Sequence, residues 1–121
     1  MKKGVLKEKS FRFAIRVVNL YKHLSEKKKE FVLSKQILRS ATSVGAMIRE
    51  AEHSESIADF IHKMAIAQKE INETIYWLEL LNETAYISNI EFESIHTDAV
   101  EIIKMITSSI KTAKKSLTTN H

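Results

Sequence analysis

The residues with the widest chemical reach in this chain are two Glu-x-x-His segments, Glu50-Ala51-Glu52-His53 and Glu93-Ser94-Ile95-His96. On a helix this spacing sets a carboxylate and an imidazole on one face. Helical bundles that bridge two transition-metal ions use two such pairs, with one further Glu from each of the other two helices. His62, three residues after Asp59, is a weaker pair of the same kind, and His23 and His121 stand alone. The absence of cysteine excludes disulfides, thiolate metal sites and cysteine nucleophiles together. The hydroxyls worth considering as nucleophiles lie in Arg39-Ser40-Ala41-Thr42-Ser43-Val44-Gly45-Ala46. Such a nucleophile needs a base and an orienting acid beside it.

Whether any of these groups meet depends on the elements that carry them. The chain has 121 residues, no proline and only two glycines, Gly4 and Gly45, so few residues punctuate strands or hairpins and an all-α fold is expected. An apolar stripe at helical spacing runs through Phe11, Ala14, Val17, Tyr21 and Leu24, predicting a first helix from Ser10 to Leu24 or Lys27. After the polar run 25–30 the stripe resumes as Leu33, Ile37, Ala41, Val44, Ile48 and Ala51. A third helix follows Ser56-Ile57-Ala58-Asp59, which resembles a capping box, and runs to about Ala85. A fourth follows the capping box Ser88 to Glu91, with Ile87 and Phe92 as a hydrophobic staple, and frays near Leu117. The segments 1–9 and 116–121 have no stripe to bury and are expected to be mobile.

Four amphipathic helices on short connections make an antiparallel up-down-up-down bundle in a single domain. That topology puts Glu50 and His53 at one end and Glu93 and His96 at the other, on the order of 30 Å apart at the helical rise. The first helix supplies no inward carboxylate. The expectation is therefore no metal, no cofactor and no catalytic residue, with both motifs read as solvated helix ends. The small-residue segment reads as a close helix crossing around Gly45.

The same topology brings other residues level. Arg39 meets the depth of Glu70, with Glu73 one turn on and Lys104 opposite, predicting a polar network that fixes register between helices. The third helix is apolar on more than one face near Ile75, Tyr76, Trp77 and Leu78. Either this stretch is enclosed within one subunit, or Tyr76 and Trp77 lie at an interface in a homo-oligomer.

Charge is segregated along the chain. Residues 1–30 hold ten lysines and arginines against three acids, residues 31–100 five against eleven, and residues 101–121 four against one. Lys9, Arg12 and Arg16, with Lys2, Lys3 and Lys7, are expected near Lys111, Lys114 and Lys115, forming a cationic patch for phosphates of RNA or DNA. Glu50, Glu52, Glu55 and Asp59 lie at the same end and oppose it. The alternative is a protein-interaction scaffold whose charges serve solubility. The basic start has no apolar stretch behind it, and no segment approaches a membrane span, so a cytoplasmic protein without a membrane partner is expected.

Several ordered segments carry a family resemblance over about residues 10–115: Phe13-Ala14-Ile15-Arg16-Val17-Val18, Leu33 to Ala46, Asp59-Phe60-Ile61-His62-Lys63 and Glu73-Thr74-Ile75-Tyr76-Trp77-Leu78. They resemble the bacterial 23S rRNA intervening-sequence proteins, and the chain is similar also to the accessory variability proteins of diversity-generating retroelements. The resemblance implies an all-α bundle, a homopentameric ring, association with nucleic acid and no enzymatic activity. One position departs from the family pattern, with Met47 standing where that pattern has asparagine.

Overall fold

The computed structural model describes residues 4–119 and is all-α among them: α1 (Val5–Glu26), α2 (Leu33–Glu52), α3 (Ile57–Glu83) and α4 (Asn89–Thr119). Packing runs around a square. α1 touches α2, α2 touches α3, α3 touches α4, and α4 returns to α1 through the thinnest of the four seams, with no close main-chain approach across either diagonal among the described residues. Each helix therefore buries one stripe against two neighbours. The shared core includes Phe13, Val17, Ile37, Val44, Met64, Ile71, Leu78, Ile102 and Ile106.

The first helix begins five residues ahead of its expected start. Leu6, Ser10, Phe13, Val17 and Leu24 form its buried stripe, whereas Phe11, expected on that stripe, is 51% exposed. Leu6 lies seven residues before Phe13 on the same face, so its burial extends the helix over much of the expected tail. α4 likewise continues through 116–119. Residues 1–3 and 120–121 of the expected tails lie outside the described residues.

The caps explain the boundaries. Ser56 Oγ accepts from the Asp59 N–H at 3.0 Å, and the Asp59 carboxylate accepts in turn from the Glu55 N–H at 3.1 Å, one residue earlier than in a standard box. At Ser88 the reciprocal pair is complete, with the Glu91 N–H donating to Ser88 Oγ at 3.1 Å and the Ser88 N–H to Glu91 Oε1 at 3.2 Å. α3 ends in a Schellman turn: the Tyr86 N–H bonds Leu81 O at 2.9 Å and the Ala85 N–H bonds Asn82 O at 3.1 Å. Ala85 holds the left-handed position of that turn at φ 64.

α2 has no side-chain bond from its own cap residue, Val32. Glu30 takes that role from inside the preceding loop. Its Oε2 accepts from Val32 and Leu33 N–H at 3.1 and 3.0 Å, and its Oε1 from Ser34 N–H at 2.7 Å. Burial alone would raise the Glu30 pKa; the Leu33, Ser34 and Val32 amides together outweigh it and hold the carboxyl below the usual range.

Two buried hydroxyls, Ser40 Oγ and Thr74 Oγ1, bond each other at 2.8 Å between α2 and α3. The crossing at Gly45 is less tight than the small-residue segment suggests. A Cβ placed there would lie 3.6 Å from Ser10 Oγ, an ordinary van der Waals distance.

Candidate nucleic-acid interface and polar network

Four cations of α1, Lys7, Lys9, Arg12 and Arg16, are drawn into pairs with carboxylates. Lys9 Nζ lies 2.5 Å from Glu101, Arg16 Nη1 lies 2.8 Å from Asp98, and Arg16 Nη2 donates to Ser94 Oγ at 3.0 Å. Arg12 pairs with Glu8 one turn back on its own helix at 2.6 Å, and Lys7 reaches Glu52 at the end of α2 at 3.5 Å. These contacts run in opposite senses along α1 and α4: moving from Lys9 to Arg16, the partner moves from Glu101 back to Asp98 and Ser94. Three of the basic side chains, Lys9, Arg12 and Arg16, also line a groove of about 510 Å³ with Val5, Phe13, Glu8 and Asp98.

The described residues of the expected patch fall into two groups. Lys111 lies ten residues beyond Glu101, about 15 Å along the helix, past the turns of α4 that Lys9 and Arg16 meet. Lys111, Lys114 and Lys115 instead line a shallow concavity of about 410 Å³ with Thr118, a lining that contains no carboxylate. Among the described residues Lys111 and Lys114 make no ion pair, nor does the exposed Lys104. Lys2 and Lys3 lie outside the described residues.

The polar network forms between α2 and α3. Arg39 bridges both expected acids, Glu70 at 3.1 Å and Glu73 at 2.5 Å, and Trp77 Nε1 donates to the same Glu73 oxygen at 2.9 Å. The indole N–H first, and the guanidinium second, hold the Glu73 carboxyl below its usual range. Arg39 remains 50% exposed at its side chain, so the network lies on the bundle's flank, where water screens it. Lys104 takes no part. Tyr76 and Trp77 meet edge to face at 5.0 Å between ring centroids. Trp77 is packed against the core, while Tyr76 is 55% exposed.

The metal motifs remain apart. Among the described residues no three His, Asp or Glu side chains are grouped to hold an ion. His96 stacks on Phe92 at 4.8 Å, and Asp59 pairs with Lys63 at 3.5 Å. The hydroxyls of Thr42 and Ser43 bond back to main-chain carbonyls of Leu38 and Arg39. Among the described residues no helix is long and apolar enough to cross a membrane.

Two features escape a reading of sequence alone. Glu30 stands in a polar run whose path decides whether it caps or is solvated. Phe11 and Ile15 lie on the outward face of α1, 51% and 46% exposed, with the Arg49 guanidinium 5.1 Å above the Phe11 ring.

Comparison with known proteins accords with this architecture. No curated protein matches the chain. A crystal structure of a protein of unknown function, from the S23 ribosomal protein family of Bacteroides thetaiotaomicron, is 61% identical. It superposes with a TM-score of 0.88, the match covering 88% of this chain and 99% of that one. The family described as 23S rRNA-intervening sequence protein matches residues 2–108. With nearly the whole bundle inside that match, the chain belongs to the 23S rRNA-intervening sequence protein family.

Proposed function

We propose that this protein is a non-enzymatic, self-associating bundle of the cytoplasm that binds nucleic acid, RNA foremost, through basic surface at its ends. The observation that carries the reading is the segregation of charge, with an acidic middle between a basic start and a basic finish. Phosphate contact by such surface is sequence-blind and salt-dependent. A ring of five copies, which the family resemblance implies, would multiply a weak patch into useful avidity.

An antiparallel up-down-up-down course belongs to the same proposal. Supporting it are the opposed partner order of Lys9 and Arg16 along α4 and the pairing of Lys7, near the start of α1, with Glu52, at the end of α2. The exposed Tyr76 ring supports self-association through the outer face of α3. A non-enzymatic role is supported by the engagement of the α2 hydroxyls, Ser40 with Thr74 of α3 and Thr42 and Ser43 with main-chain carbonyls of their own helix.

Sedimentation of the purified chain with and without a generic RNA, at rising KCl, tests both parts. The expected result is an assembly larger than one subunit that carries RNA at low salt and sheds it as salt rises. A species of single-subunit mass, or an assembly that never carries RNA, refutes the corresponding part. A second reading, a scaffold for a protein partner, is favoured by the exposed Phe11 and Ile15 on α1. Under it, a partner co-purifying from the source cell survives nuclease treatment.

A further inference from the structure

We propose that the loop between α1 and α2, Lys27 to Val32, takes a single strand of RNA, with its lysines on the phosphates and the Phe31 ring under an unpaired base. This rests on the nucleic-acid reading above and gives it a strand preference. The loop reads Lys27-Lys28-Lys29-Glu30-Phe31-Val32, and the fold sorts its side chains by chemistry. Its one acid is turned inward. The Glu30 carboxylate is held by the Val32, Leu33 and Ser34 amides, its N–H bonds Leu24 O at 2.9 Å, and its carbonyl accepts from Ser34 Oγ at 2.9 Å. With all three polar groups of Glu30 tied, the loop is held to one path, and Lys27, Lys28, Lys29, Phe31 and Val32 are all exposed on it. Phe31 is 52% exposed and Val32 70%.

A basic loop that carries an open aromatic ring is the combination single-strand binding uses. Cations follow the sugar–phosphate backbone, and the ring stacks on whichever base is free. A duplex keeps its bases stacked on one another and meets the lysines alone. The neighbours at this end decide between occupants. Lys28 shares a concavity of about 420 Å³ with His23 and Glu91, and exposed Glu26 precedes the lysines. A flat anionic membrane would have to cover these acids to seat Phe31 and Val32, whereas a flexible strand need touch only Lys27, Lys29 and Phe31. Gly4 and Thr119, where the described residues stop, lie a helix length away along α1 and α4, roughly 30 and 45 Å at the helical rise. Three residues reach at most about 10 Å, so the loop is surrounded by described residues.

The experiment is a fluorescence-anisotropy titration of the full chain against a labelled single-stranded oligouridylate and a duplex RNA of the same length, over a series of KCl concentrations. It compares the unmodified chain with F31L, F31W and K27Q/K29Q, and circular dichroism checks that each variant keeps its helix content. Leucine keeps the apolar bulk at position 31 and removes the ring; tryptophan keeps a ring and adds a reporter. The chain's own indole, Trp77, is packed against the core, so a change in the added emission reads stacking at the loop. Flotation with phosphatidylserine vesicles is run beside the titration.

The expected result is that F31L weakens single-strand binding by roughly fivefold or more, with the salt slope and the duplex affinity unchanged. F31W binds the single strand at least as tightly as the unmodified chain, and the oligouridylate quenches its added emission. K27Q/K29Q lowers the slope of log affinity against log salt on the single strand by about 1.4. Single-strand affinity untouched by F31L, or a slope untouched by K27Q/K29Q, overturns this assignment and leaves the nucleic-acid reading standing. Vesicle capture that F31L abolishes, beside an unchanged RNA affinity, gives the loop to lipid and overturns it as well. Failure of the unmodified chain to bind either RNA removes the nucleic-acid reading and this one with it.

Discussion

Replacing Glu30 by glutamine is the most direct test of how α2 is held, because one side chain secures the start of a whole helix. The carboxylate accepts three main-chain N–H groups while the residue is only 9% exposed. The glutamine amide would keep one acceptor oxygen in place of two. It can serve either the Val32 and Leu33 pair or Ser34, and it brings no charge to the positive end of α2. Losing one charge-assisted bond costs roughly 1.5–3 kcal/mol, and losing the anion at a helix N-terminus roughly 0.3–1 kcal/mol. Together these give about 2–4 kcal/mol, or a fall in Tm of roughly 7–16 °C for a chain of this size. Thermal unfolding followed at 222 nm at neutral pH reads this shift. The pH dependence supplies an independent check. Since the folded-state pKa of Glu30 lies below the ordinary 4.5, its contribution is fully present above that value and is lost as pH falls through the folded value. The Tm gap between the unmodified protein and the E30Q variant should therefore be constant above about pH 5 and close in acid. A gap smaller than about 2 °C at neutral pH, or one that persists unchanged in acid, refutes this role for Glu30.

Two further substitutions should stabilise. Ala85→Gly relieves an exposed left-handed residue in the Schellman turn; the relief of roughly 1–2 kcal/mol, less the added freedom of the unfolded chain, leaves a gain of about 0.5–1 kcal/mol, and a lower denaturant midpoint would count against it. Gly45→Ala places its methyl 3.6 Å from Ser10 Oγ, so a gain approaching about 1 kcal/mol in helix propensity should appear in the same titration. A loss there would mean that the α1–α2 crossing cannot yield at all.

What could be read from the residues follows the range of the interactions involved. The four helices, the Ser56 and Ser88 caps and the meeting of Arg39 with Glu70 and Glu73 are set by spacing within a helix or by a single short turn. The buried face of α1 is harder. Phe11 and Phe13 are two residues apart, both bulky, and each completes a plausible stripe; the deciding positions are Leu6, inside what reads as a tail, and Ser10, a polar residue that is buried. The fate of the α1 cations is harder still, because α1 meets α4 across the whole length of the sequence. A shift of one turn between them exchanges Asp98 and Glu101 for Ile102 and Met105 as neighbours. Glu30 is invisible for a similar reason: its reach depends on the loop bending through Lys29 at φ 55.

The square of seams also bears on how quickly the chain finds its shape. Three of the four join helices that are consecutive along the backbone, so most of the core can assemble by closing short loops, the cheapest and fastest route to tertiary order. Without proline, no isomerisation about an X–Pro bond can delay any step. The seam between α1 and α4 alone must wait for the two ends of the polypeptide to meet, and it is the thinnest of the four and is clasped by ion pairs. In hydrogen exchange it is the natural place for the barrel of helices to open first, with α1 swinging away while the other three stay together.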